Sequence, residues 1–304
     1  MGWPFPSNPA TPPKSVSPPG NGSPPPTGPP SGAPAGGCPA VWTTISKDLT
    51  AMFLSGGQCN DDARASIRAI FHDCFPDGGC DGSIALPDEL NRQENSIMAP
   101  TINKLSALAK QRNVTVADMI VYASSHAVAT CPGGPTTPTF IGRKDATSAA
   151  PPNELPQPNV SAEESIGAFQ KKGFSVSDLV ALIGAHTASK QFTVDPAKAG
   201  EAQDTTPGTW DVTYYSQTVA GKAPFTFQAD TNLVNAAQAG PVFKQFASNK
   251  PGWDANFASA LSRMQLLGGN KASMVDCTST LPRAHFRRNA MAAPMIAGSY
   301  RAYH

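Results

Sequence analysis

No stretch of the 304 residues approaches the ~18 consecutive apolar residues that a membrane-crossing helix needs, so no membrane span is expected. An excess of one charge is also missing: 23 Lys and Arg stand against 22 Asp and Glu. There is no basic block and there are few aromatics to stack on bases, which argues against nucleic acid as the main partner and points to a small molecule. The opening residues MGWPFPSNP lack the charged start and apolar middle of a secretory signal, and Met1 is read as a start placed on a mature chain. No CxxC pair occurs, so thiolate metal binding is not expected. No internal repeat is present.

Three kinds of region are there instead. Residues 1–37 are so rich in Pro, Gly and Ser that they cannot bury enough surface to fold, and are expected to be disordered. One large domain is expected over 38–282. A tail over 283–304, with Arg283, Arg287, Arg288 and Arg301, has no assigned role, nor have His126, His285 and His304. Six cysteines, the even number a disulfide framework needs, occur with Asn-X-Ser/Thr sequons at Asn21, Asn113 and Asn159. Together they favour an extracellular, glycosylated chain over chance sequons with reduced thiols.

Helix starts recur and strands do not. Thr115 to Asp118, Ser161 to Glu164 and Ser175 to Asp178 each read as a capping box before an apolar-periodic segment, so the domain is expected to be all-α. Asn60 or Asp61 is placed to cap a helix with Ile67, Ile70, Phe71 and Cys74 as its apolar stripe, ended by Pro76 and the glycines after it. In DLVALIGAHT, Leu179, Ile183 and His186 fall on one line at helical spacing. Further helices are expected from about Thr115 to Ala129 and from about Asp254 to Leu267, while 195–240 should be irregular with short helices.

The densest chemistry is RAIFHDCFPDGGCDGS, Arg68 to Ser83. Arg68 and His72 lie one helical turn apart on one face. An imidazole there can move a proton while a permanently charged guanidinium stabilises developing negative charge, the combination that cleavage of a peroxide O–O bond requires. Spacing alone favours the plainer reading, a helix-surface arginine beside a core-facing histidine.

The whole string decides between them. RxxFHDC followed by GxCDGS, and later DLVALIGAHT, resembles the haem peroxidases of the plant and fungal superfamily, and QDTTPGTWD at 203–211 with QAD at 228–230 resembles its secreted fungal branch, which includes lignin and manganese peroxidases. The resemblance runs from about Cys38 to Pro282. It implies an all-α haem peroxidase fold of about ten helices in two subdomains with haem b between them, and a monomer that oxidises small aromatic reductants with hydrogen peroxide. By the same resemblance His72 is the distal acid and base, Arg68 the charge stabiliser, Phe71 the aromatic over the haem face, and Asn95 the acceptor for the second nitrogen of His72. His186 is the proximal iron ligand, with Asp230 accepting its second ring proton.

Two calcium ions are also implied. Asp73, the carbonyl of Gly79, Asp81 and Ser83 match a distal site; Thr187, Asp204, Thr206, the carbonyl of Thr209 and Asp211 match a proximal one. For the cysteines the resemblance suggests Cys59 with Cys131 and Cys74 with Cys80, leaving Cys38 with Cys277.

The chain departs from the branch in two places. At the positions of the three manganese-binding acids it has Asp61, Ala65 and Phe192, and where lignin peroxidases carry a surface tryptophan it has Ala181. Neither a manganese site nor that electron route is expected. Trp210, Trp253, Tyr214 and Tyr215 are candidates for other routes, although most buried aromatics are only core, and what remains is oxidation of phenols, amines or dyes at the haem edge. A silent calcium-binding adhesion or host-interaction module on the same fold is the alternative, although such a relative would be expected to lose the distal pair first. An oxygen-inserting enzyme would want a thiolate ligand, and no cysteine lies in the proximal motif.

Overall fold

The computed structural model describes residues 37–283. The readings made for the proline-rich segment before Gly37, including Asn21, and for the tail after Arg283, including His285, Arg287, Arg288, Arg301 and His304, lie outside them. The described residues form a mostly helical domain. In chain order the helices are α1 (Val41–Phe53), α2 (Asp61–Cys74), α3 (Pro87–Leu90), α4 (Ala99–Arg112), α5 (Val116–Thr130), α6 (Ala162–Lys171), α7 (Val176–Ile183), α8 (Thr213–Ala220), α9 (Gln228–Asn235), α10 (Gly240–Ser248) and α11 (Lys250–Met264). The strand content described is two antiparallel ribbons, β1 (Leu54–Ser55) with β2 (Gln58–Cys59) and β3 (Phe140–Ile141) with β4 (Val275–Asp276).

Capping explains where the site-bearing helices begin. The Asn60 side chain accepts from the Ala63 N–H at 3.1 Å and starts α2, with Asp61 and Asp62 in the first turn where the helix dipole favours them. Ser161 with Glu164 and Ser175 with Asp178 form full reciprocal boxes at α6 and α7. At α5 only half of the expected box forms. Thr115 accepts from the Asp118 N–H, but the Asp118 carboxylate turns inward to Arg143 and the backbone N–H of Gly142. Helix α11 starts four residues before the expected Asp254 because Asn249 caps it and Pro251 suits its first turn.

The line through Leu179, Ile183 and His186 is interrupted. Helix α7 stops at Ile183, and Gly184–Ala188 continue as a 3₁₀ turn that carries His186. Gly184 permits this turn to lie against α8 and α11, since a Cβ there would stand 2.2 Å from the Tyr215 hydroxyl and 2.6 Å from Trp253 Nε1.

Helix α2 packs mainly on α5, with α1 and α4 alongside; α7 packs on α11, and α8 on α10. The main core runs through both groups, from Trp42, Leu49 and Tyr122 to Phe243, Phe246 and Trp253, all buried. Three disulfides join Cys38 to Cys277, Cys59 to Cys131 and Cys74 to Cys80. The first closes a span of 239 residues and the third a loop of six.

Candidate active site

A cavity of about 540 Å³ separates α2 from the α7 end, within the size range of cofactor sites. Arg68, Phe71 and His72 line one wall; Leu182, Ile183, His186 and Phe227 line the other.

On the α2 wall, His72 Nδ1 lies 2.7 Å from Asn95 Oδ1, and Asn95 Nδ2 donates to the Glu89 carbonyl at 2.9 Å. With its amide nitrogen so engaged, Asn95 presents oxygen to the ring, so Nδ1 carries the proton. Arg68 Nε donates to His72 Nε2 at 2.9 Å, which requires Nε2 to be the bare acceptor and agrees with that tautomer. Burial, then the neighbouring Arg68 charge, pull the His72 imidazole down to about 3, offset in part by the Asn95 bond. The ring is therefore neutral at ordinary pH, with its unprotonated basic nitrogen accepting from a guanidinium. Arg68 also reaches the Glu94 carbonyl at 3.4 Å. Phe71 stands edge-on to His72 and stacks on Phe169 of α6 at 5.9 Å.

On the opposite wall, His186 Nδ1 lies 2.9 Å from Asp230 Oδ2, a buried carboxylate in the first turn of α9. Tyr214 and Phe227 flank the ring edge-on. His186 lines the cavity with Nδ1 tied up, which leaves Nε2 as its unengaged nitrogen. The donor set fits haem: an apolar slot, an imidazole anchored from behind by a carboxylate as a metal ligand requires, and a second imidazole with a cation across the gap.

The end of α2 and the loop after it gather Asp73, Gly79, Asp81 and Ser83. The Asp73 carboxylate accepts from the backbone N–H groups of Gly82 and Ile84, Asp81 accepts from the Ser83 N–H, and the Gly79 carbonyl accepts from the Asp81 N–H. Gly79 and Gly82 have φ of +77° and +75°, and a Cβ on either would meet backbone at under 3 Å. Ser83 Oγ is buried without a partner. Burial, with the Asp81 and Glu89 charges adding to it, raises the Asp73 carboxyl to about 8 despite those backbone bonds. Beside His186, the Thr187 hydroxyl donates to Asp204 at 2.7 Å, and that of Thr206 donates to Asp211 at 3.2 Å. Burial raises Asp204 to about 6, with Asp211 contributing. Thr209 lies in the same loop, its N–H donating to the Thr206 carbonyl. Among the described residues no three His, Cys, Asp or Glu side chains cluster as a metal site. Each loop instead offers two carboxylates with hydroxyl and carbonyl oxygens, a hard-donor set suited to calcium. A buried hydroxyl with no partner and a carboxyl pushed up by burial are features that a bound cation would resolve.

Some supporting residues were not singled out in the sequence. The buried Arg143–Asp118 pair, 3.0 Å apart, ties the β3 end to α5, and Phe169 backs Phe71. Arg143 gave no local signal, because its partner lies 25 residues earlier.

Comparison with known proteins places these features in a family. The family model described as Peroxidase matches residues 45–249. Manganese peroxidase 3 of Phlebia radiata is 28% identical over 75% of this chain and 72% of its own length. Ligninase LG6 of Phanerodontia chrysosporium is 27% identical over 80% and 74%, and a peroxidase of Arthromyces ramosus 25% over 85% and 79%. With the family model covering about two thirds of the sequence, over the slot and both of its histidines, the chain belongs to the peroxidase family and is a peroxidase enzyme.

Proposed function

We propose that the protein uses hydrogen peroxide to oxidise small phenolic or other aromatic donors by single-electron steps at the edge of a haem held by His186. The observation that carries this reading is the pairing of two anchored histidines across one slot, one backed by a carboxylate and the other by an amide oxygen with an arginine beside it. Bound haem would supply the iron that receives peroxide and the electrons that reduce it. His72 Nε2, neutral and basic, takes the proton from the nearer peroxide oxygen and returns it to the farther one as water leaves. Arg68 stabilises the negative charge that develops on the leaving oxygen, and Asn95 keeps His72 in the tautomer that can do this. Asp230 orients His186 and raises its basicity as a ligand. Phe71, backed by Phe169, excludes water from the haem face.

Calcium in the two oxygen-rich loops would brace the two walls, since Asp73 follows His72 and Thr187 follows His186. A manganese donor does not fit. Asp61 is held by Arg64 at 2.7 Å, with Lys190 Nζ 3.7 Å away, and Ala65 and Phe192 supply no oxygen. Ala181, at the surface-tryptophan position, is fully buried. Paired cysteines and the exposed sequon residues Asn113 and Asn159 support an extracellular, glycosylated protein. The folded domain corresponds to 38–282.

Three results are expected. In stopped-flow with the haem-loaded protein, His72→Ala should slow the reaction with peroxide by about 10²–10⁴-fold while haem binding is retained; a loss under tenfold would remove His72 from its role. The wild-type rate should stay level as pH falls through the ordinary imidazole range and drop only near about 3, where His72 Nε2 gains a proton; an inflection near the ordinary histidine value would contradict the geometry. Calcium removal should lower Tm in a pH-dependent way. Without the ion, folded Asp73 and Asp204 keep protons up to about 8 and about 6 that the unfolded chain has already released, so stability falls as pH rises through that window. Chelation should therefore cost more at the alkaline end than at the acid end, and an unchanged Tm at both ends would count against the sites.

A further inference from the structure

Behind His186 the rings of the proximal wall form an unbroken series. Tyr214 stands 5.5 Å from the His186 ring, Tyr215 5.2 Å from Tyr214, Trp253 5.4 Å from Tyr215, and Trp210 5.0 Å from Trp253. The last two are stacked within 6° of parallel, and both are fully buried. Packing accounts for aromatic contact in a core, but not for how the series ends. A buried indole N–H needs a partner, and an uncharged one is enough: Trp253 Nε1 donates to the Ala181 carbonyl at 3.0 Å, and the Tyr215 hydroxyl to the Val180 carbonyl at 2.7 Å. Trp210 Nε1 instead donates to the carboxylate of Asp254 at 3.2 Å, an anion mostly withdrawn from solvent and shared with Lys250 at 2.6 Å. Withdrawing a charge from water is costly. Of the four rings in the series beyond His186, Trp210 has the anion at its N–H, and it shares the face-to-face indole stack with Trp253.

We propose that the Trp210–Trp253 stack, with Asp254 against it, is a second redox site that gives one electron to the haem centre after peroxide has reacted and holds the oxidising equivalent until a donor arrives. This rests on the reading that haem sits on His186. The electron count closes. Reduction of one hydrogen peroxide to water withdraws two electrons from the loaded enzyme, and one of these comes from the indole pair. The positive charge left behind spreads over two parallel rings and faces the Asp254 carboxylate, while the Nε1 proton stays in its hydrogen bond. A reducing donor later returns the electron, and Tyr214 and Tyr215 lie on the path between the pair and His186.

The test uses the haem-loaded protein frozen after one equivalent of hydrogen peroxide without donor, read by electron paramagnetic resonance with ring-deuterated tryptophan or ring-deuterated tyrosine incorporated. The Soret band is followed in parallel: no response to peroxide there would defeat the haem reading itself, whereas a normal response isolates the present question. An organic radical whose spectrum narrows with deuterated tryptophan, and which Trp253→Phe removes or transfers to tyrosine, is expected. Asp254→Asn keeps an acceptor and the side-chain volume but removes the charge, and should shorten the lifetime of the radical about tenfold, as loss of a charged hydrogen-bond partner predicts. With a normal Soret response, the absence of any organic radical, narrowing by deuterated tyrosine alone, or a signal unchanged in both variants would overturn the proposal.

Discussion

An imidazole has two nitrogens, and anchoring one decides what the other can offer. The active site depends on that constraint applied twice. Asn95 holds Nδ1 of His72, and Asp230 holds Nδ1 of His186. The anchors differ in charge, and so do the consequences. An amide oxygen fixes the tautomer of a buried ring without supplying a negative charge that would favour its protonated form, so His72 stays a neutral base next to Arg68. A buried carboxylate raises the electron density of the ring behind which it sits, which suits His186 to hold a metal.

The rest of the domain keeps these anchors in place. Asn95 lies in the loops around α3 and is itself held by the Glu89 carbonyl, while the Glu89 carboxylate is bound by the Ala150 N–H. Asp230 opens α9. Neither anchor is near its histidine in sequence, so the slot exists only when distant segments are assembled. The Cys59–Cys131 bond ties the residues before α2 to the end of α5, its main packing partner, and Cys74–Cys80 clips the loop that follows His72. Next to each histidine in sequence stands a residue bound within an oxygen-rich segment: Asp73 accepts from the Gly82 and Ile84 N–H groups, and Thr187 donates to Asp204.

Much of this was legible because the chemistry is compressed into short strings. Asn60 as a cap, the apolar stripe of α2, and the reciprocal boxes at Ser161 and Ser175 are local signals, and local energetics decides them. The bond between Nδ1 of His186 and Asp230 spans 44 residues and that between His72 and Asn95 spans 23, so those partners came from family resemblance and not from spacing. Where a long-range partner competed with a local one, the local reading failed: Asp118 left its capping box for Arg143, and the line through Leu179, Ile183 and His186 broke where Gly184 packs under Tyr215 and Trp253. Trp210, Trp253, Tyr214 and Tyr215 stood out in the sequence only as separate candidates for an electron route, and the stack formed by residues 210 and 253 became visible only in the fold.

The central claim is that His186, anchored by Asp230, presents Nε2 to the haem iron. Resonance Raman spectroscopy of the reduced, haem-loaded protein tests it most directly, through the iron–imidazole stretching band. The account predicts that the band is present in the wild type, shifts to lower frequency in Asp230→Asn as the ring loses its anionic partner, and disappears in His186→Gly. A band that persists in His186→Gly, or does not move when Asp230 is replaced, would contradict it.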